Sequence, residues 1–270
     1  MAVIYSKNGQ AMPEKMIPFG REAFETIEGT EIRWLGNGGV MINSRGNCLM
    51  IDPLLAGFDM PLFFPSPVKA AEVPELAALL VTHIDHDHYS EASCLALENR
   101  VKAFHTTHAV AEKMLSDGLK NVCGHGIGEH FALGNMKIFL TPALHNWQNG
   151  VEEFAYRSEW KPEDGCGFRL ETLDGSIWMP GDSRLMEEQL HMPSPKLILF
   201  DFSDNDWHIT FEGAVKLANA YPEATLFCIH WGTVDAPDFT PFNGDPNRLR
   251  ERIVNPQRLI APNPGEAYVL

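Results

Sequence analysis

The sequence predicts an α/β protein made of two β-rich halves with helices on the outside. Three observations predict it. Apolar runs of strand length alternate with segments whose apolar residues recur at helical spacing. Strand-rich stretches occur twice, early and late in the chain. The polar clusters fall where apolar strands give out, which is where α/β proteins place their sites. The 270 residues are 44% hydrophobic and 10% aromatic, enough for a substantial core, so a disordered chain is excluded. No repeat of solenoid period and no low-complexity linker divides the chain, and residues 1–270 are expected to form one domain.

In the first half, EIRWL, GVMIN and CLMID (residues 31–52) are three successive strands, with SRGN as the tight link before the third. The Pro- and Phe-rich segment GFDMPLFFPSPVK (residues 57–69) is a long loop, either a flap over a site or a surface loop packed by its own aromatics. Leu76 to Thr82 is almost continuously apolar, as in a strand covered on both faces. EASCLALENR and AVAEKMLSDGL have helical spacing and flank the short strand KAFHT. In the second half, HFAL, MKIFLTPA, GFRLETL and SIWMP are strands, and Asp174-Gly175 marks a hairpin turn. Helix RLMEEQL, strand LILFDF, helix FEGAVKLANAY, strand TLFCIH and a last strand EAYVL complete the order.

A formal net charge of −15 repels phosphate backbones, so no nucleic-acid partner is expected. No run approaches the roughly 18 apolar residues of a membrane span. The N-terminus lacks the basic and apolar regions of a secretory signal. The five cysteines are odd in number and never spaced C-x-x-C, and they read as reduced, mostly buried thiols of a cytoplasmic protein.

The densest chemical signal is VTHIDHDHYS, in which residues 83–88 hold three histidines and two aspartates. If the strand continues, His83, Asp85 and Asp87 point one way, His86 points the other, and a turn returns His88 to the cluster. A polar helix N-terminus would explain one aspartate there but not five ligand-type side chains. Further donors follow other apolar strands: His145 in TPALHNW, Asp182 in WMPGDSR and His230 in FCIHWGT. One histidine at a strand end is ordinarily structural; the repeated placement favours metal binding.

On these residues the chain resembles the metallo-β-lactamase-fold hydrolases, whose signature is H-x-H-x-D-H after a strand, followed by a single His, a bridging Asp and a last His. The ordered match runs from WLGNGGVMI and LMIDP through HWGT, and within the superfamily it most resembles the ascorbate-6-phosphate lactonase branch. IHWGT and HITFEGAV are also similar to the N-acyl-phosphatidylethanolamine phospholipase D group. The resemblance implies a four-layer αβ/βα sandwich of two mixed β-sheets flanked by helices. It also implies one or two divalent ions, zinc, manganese or iron. His83, Asp85 and His145 would hold the first, Asp87, His88 and His230 the second, with Asp182 bridging and Asp52 in support. The usual second His is Asp85 here, and a harder, charged donor favours manganese or iron and weakens the first site.

No serine-nucleophile elbow, P-loop or dinucleotide fingerprint is present. Gly36-Asn37-Gly38-Gly39 matches a strand turn of the family and is backbone geometry, not a phosphate cradle. The resemblance to the lactonase branch implies attack by a metal-bound hydroxide on a small, anionic ester or lactone, with Asp182, His208 and Asp85 taking part. His208, just before a helix that Thr210 would cap, matches a histidine near the family's substrate. Trp147, Trp207, Trp231 and Tyr89 are either an aromatic wall or core. Arg184 is either an anion contact or an exposed helix-start residue, and His105, His108, His125, His130 and His191 are structural. A phosphodiesterase is the second reading. An iron oxidoreductase, which in the related flavodiiron proteins needs a flavin domain, and a non-catalytic metal-binding protein rank below it. The related lactonase is a homo-oligomer, which the resemblance extends to this chain.

Overall fold

A computed structural model describes residues 3–149, 151 and 159–270. The chain opens with a hairpin, β1 (Val3–Tyr5) and β2 (Ala11–Pro13). Strands β3 (Thr30–Gly36), β4 (Gly39–Ser44) and β5 (Asn47–Ile51) form an antiparallel meander, to which β6 (Ala78–Leu80), β7 (Phe104–Thr107) and β8 (Val122–His125) add in parallel. In the second half β9 (His130–Leu133), β10 (Met136–Pro142), β11 (Cys166–Thr172) and β12 (Gly175–Met179) are antiparallel. Strands β13 (Leu197–Asp201), β14 (Thr225–Ile229) and β15 (Leu259–Ile260) continue in parallel. The last strand, β16 (Ala267–Val269), returns to pair with β3. The result is two seven-stranded mixed sheets, ordered β16-β3-β4-β5-β6-β7-β8 and β15-β14-β13-β12-β11-β10-β9.

Period-2 alternation explains how the sheets stack. Val40, Ile42, Leu49 and Ile51 enter one apolar cluster with Ile138, Leu140, Phe168 and Leu170 of the other sheet. The intervening Met41 and Met50 face the opposite way, into a cluster with Leu97, Val110 and Met114. These last come from helices α1 (Glu91–Leu97) and α2 (His108–Ser116), which cover the first sheet. On the second sheet, α3 (Phe211–Ala220) contributes Ala214, Leu217 and Ala218, and Leu249 of α4 (Pro246–Arg250) joins the same cluster. Helix, sheet, sheet, helix is the four-layer order of the expected α/β sandwich.

Several elements differ from expectation. RLMEEQL forms only a 3-10 turn, Glu187–Leu190, and Arg184 N donates instead to Leu144 O (3.0 Å). The Leu76–Thr82 strand shortens to β6, and residues after it turn instead of extending: Asp85 O accepts from His88 N (2.9 Å) and Tyr89 N (2.7 Å). The hairpin β1–β2, the edge strand β8, helix α4 and the two-residue β15 carry too little periodicity to be read locally. Among the described residues no helix is long and apolar enough to cross a membrane.

Candidate metal centre

Most of the candidate donors stand just beyond strands whose ends lie side by side. Parallel pairing of β5 with β6 and of β12, β13 and β14 with one another brings the ends of neighbouring strands together. Asp52 follows β5, His83 follows β6, His145 follows β10, Asp182 follows β12 and His230 follows β14. Two of these positions are backbone-strained: Asp52 has φ 46° and His230 φ 61°, in the left-handed region that non-glycine residues rarely occupy.

Donor atoms of His83, Asp85 and His145 lie within 4.8 Å of one another, as do those of Asp87, His88 and His230. His145 Nε2 is 3.0 Å and His83 Nε2 3.4 Å from Asp85 Oδ2. His230 Nε2 lies 3.0 Å from Asp87 Oδ2 and 3.1 Å from His88 Nε2. Between the two groups sits Asp182, whose Oδ2 is 2.9 Å from His208 Nε2, 3.2 Å from His88 Nε2 and 3.4 Å from His230 Nε2. His86 is exposed and lies at the cavity mouth.

The outward ring nitrogens decide what the inward ones can do. His145 Nδ1 meets the Trp207 carbonyl (3.0 Å) and must donate. His88 Nδ1 donates to Asp52 Oδ2 (2.9 Å). Thr82 gives its hydroxyl proton to the same Asp52 oxygen (2.5 Å) and so accepts from His83 Nδ1 (2.9 Å). Ser203 gives its proton to Pro241 O and accepts from His230 Nδ1 (3.0 Å). Asn205 Oδ1, which already accepts two backbone N–H groups, accepts from His208 Nδ1 (2.8 Å). Five Nε2 lone pairs therefore converge on three carboxylates. His83 Nε2 is buried with no hydrogen-bond partner among the described residues. Lone pairs facing each other and facing carboxylate oxygens repel unless a positive charge lies between them. The donor set fits divalent cations.

Electrostatics follow the same logic. Burial opposes charge on Asp85, but His83 and His145 outweigh it and hold the carboxyl well below its usual range. Asp182 is lowered likewise by His230, His88 and His208, and Asp87 by His88 and His230. Burial also disfavours imidazolium, yet Asp182 and Asp87 raise His88, and Asp182 and Asp201 raise His230 to about 9. At His208 burial wins, and its imidazole falls to about 4. Burial, reinforced by the charge of Asp182, lifts Asp201 to about 8.

Several of these partners lie outside the residues that the sequence singled out. Asp201 Oδ1 lies 3.5 Å from His230 Nδ1, at the end of β13. Gln148 Nε2 donates to Asp85 Oδ1 and Trp147 Nε1 to Asp85 Oδ2, each at 2.6 Å. The strand-end pattern used for His230 applies equally to Asp201 and would have found it; Gln148 has no such signal. Gly38 and Gly39 serve close packing, since a Cβ on Gly38 would come within 2.4 Å of the His88 ring. Of the four aromatics, Trp147 and Trp207 line the cavity over the centre. Trp231 instead stacks on Trp34 in the core, and Tyr89 donates to Asp117. The 57–69 loop packs along residues 233–235 and puts Asp59 and Met60 at the cavity edge.

Residues 47–231 match the family described as "Beta-lactamase superfamily domain". A "UPF0173 metal-dependent hydrolase" of Caldivirga maquilingensis is 28% identical over 249 residues, 88% of this chain and 97% of that protein. Among solved structures, a metallo hydrolase from the archaeon Ignicoccus hospitalis superposes with TM-score 0.69 at 18% identity, over 89% of this chain and 98% of that one. An isothiocyanate hydrolase from Delia radicum gut bacteria gives TM-score 0.69 at 20% identity, with the same coverage.

Proposed function

The chain belongs to the metallo-β-lactamase superfamily, and from that premise we propose that it is a metal-dependent hydrolase acting on a small ester or lactone. One observation carries the reading: five imidazoles, each fixed through Nδ1, turn Nε2 toward three carboxylates, with the buried Asp182 between two donor triads. Residues His83, Asp85 and His145 would hold one divalent ion and Asp87, His88 and His230 another, with Asp182 shared. When bound, such ions supply the acidity that activates water near neutral pH and the charge that stabilises a developing oxyanion.

The chain's own residues do the rest. Asp52, Ser203, Asn205 and the Trp207 carbonyl hold the rings in one tautomer, so the donors need no rearrangement as an ion enters. Trp147 and Gln148 orient Asp85 and draw charge from it, which supports the weaker first site expected from the His-to-Asp change. His208 keeps its proton on Nδ1 against Asn205 and stays neutral, so its Nε2 presents a lone pair next to Asp182, from where it can take a proton from an attacking water. The lactonase-like motifs support lactones and esters as substrates, and Asp85 supports manganese or iron over zinc.

The test is elemental analysis of protein purified without added metal, followed by a panel of lactones and bis-p-nitrophenyl phosphate assayed with manganese or zinc. Turnover of lactones or esters, lost in Asp182→Ala together with bound metal, is expected. Turnover of the phosphodiester alone would replace this reading with a phosphodiesterase.

A further inference from the structure

The cavity over the centre has a volume of about 710 Å³. Its floor is the donor cluster. Its walls are Met60, Ile84, Trp147, Trp207, Phe239 and Pro241. Trp207 is 40% exposed and Phe239 51%, a large apolar area left open to water beside a buried polar centre. Apart from the histidines, which belong to the donor cluster or, like His86, stand at its edge, the charged lining is of one sign: five carboxylates, Asp59, Asp85, Asp87, Asp182 and Asp206, and among the described residues no lysine or arginine. Two divalent ions would bring four positive charges against those five, and a single ion only two. Asp59 and Asp206 are exposed at the mouth, where their field meets whatever approaches. Arg184, the cation that the sequence offered for an anionic substrate, is not in the lining. Its guanidinium stacks over Trp207 at 4.3 Å and its Nε donates to Asp206 O.

We propose that this cavity selects an uncharged substrate with a flat or branched apolar body, excluding esters that carry a distal carboxylate or phosphate. The apolar body lies against Trp147, Trp207 and Phe239, and the reacting carbonyl points to the floor. This reverses the anionic preference expected from the lactonase-like motifs. It rests on the hydrolase reading only for the word ester, since recognition by the walls does not require turnover.

Two matched pairs test it on the metal-loaded protein. For turnover, 4-nitrophenyl butyrate is compared with mono-4-nitrophenyl succinate, which differs by a distal carboxylate. For binding alone, butyranilide is compared with succinanilic acid by quenching of tryptophan fluorescence, with Trp207→Phe as the control for the cavity signal. The uncharged member is expected to be favoured about tenfold or more in kcat/KM, corrected for alkaline hydrolysis, and in Kd. Asp59→Lys with Asp206→Lys, or added salt, is expected to narrow that gap, because exposed charges are screened. Equal or tighter binding of the anionic anilide overturns the inference. Hydrolysis of neither ester, with the uncharged anilide still preferred, overturns the hydrolase reading and leaves this one standing.

Discussion

Gly38 illustrates how the centre depends on atoms that do no chemistry. With a Cβ there, His88 Cε1 would be 2.4 Å away and Nδ1 2.7 Å, so the ring must move and lose Asp52. Gly38→Ala is therefore expected to weaken metal binding while leaving the fold intact, measured as a drop in metal per chain alongside an unchanged far-UV circular dichroism spectrum. Asp52 itself fixes His88, and Asp201 stands behind His230. Replacing either with Asn is expected to lower metal affinity roughly 10- to 100-fold, the usual cost of removing a partner that orients a ligand; competition with a chelator measures it. At this scale the sequence was informative about the donors. His83, Asp85, Asp87, His88, His145, Asp182 and His230 all lie where strand ends converge. Their outer partners were mostly hidden, because Ser203 and Gln148 are common polar residues whose meaning depends on a neighbour far along the chain, and Asn205, three residues before His208, carries no distinguishing pattern.

Elements carry a second layer of dependence. Edge strands β8 and β9 belong to different sheets, and Phe131 of β9 stacks on His105 of β7 at 4.0 Å and on His125 of β8 at 4.8 Å. His105 Nδ1 and His125 Nε2 are also 2.9 Å apart. Burial, together with the charge of His125, lowers His105 from 6.5 to about 4. A histidine depressed on folding contributes stability above its unfolded value near 6.5, and loses that contribution as pH falls through about 4. Thermal melts from pH 7 to 4 should therefore show an acid-dependent loss that His105→Phe reduces; identical profiles for both proteins would remove the histidine pair as its cause. The N-terminal hairpin acts at the same scale. Gln10, between β1 and β2, is buried, donates to Val234 O (2.7 Å) and Phe242 O (3.3 Å), and accepts from Ala236 N (3.3 Å). That clamps the segment carrying Phe239 and Pro241, so Gln10→Ala is expected to raise KM severalfold with a smaller change in kcat. The hairpin escaped the sequence reading because two three-residue strands are too short to show a period.

For the whole molecule, the two sheets share one apolar cluster, and the candidate centre is assembled from donors on both. We read residues 1–270 as one domain on that ground, and a single cooperative unfolding transition is the result it requires. Metal removal tests the same coupling. A ligand that binds only the folded chain stabilises it by about 4 kcal/mol when present at about a thousand times its Kd. Chelation is thus expected to lower the melting temperature by several degrees or more, and restored metal to recover it; no shift in either direction would mean that the centre does not hold ions tightly.

By itself the sequence determined the α/β class, the strands with clear period-2 or continuous apolar patterns, and the residue types gathered at their ends. Those are local properties, written in hydrophobic periodicity and in side-chain chemistry. Only the tertiary structure decided which imidazole nitrogen faces inward, that Asp201 stands behind His230, and that the cavity mouth is acidic and aromatic instead of cationic. These depend on residues such as Asp52 and His88, or Ser203 and His230, meeting across long stretches of chain. Hydrogen-bond direction and the sign of a local field are properties of that meeting, and for such pairs no short window of sequence contains both partners.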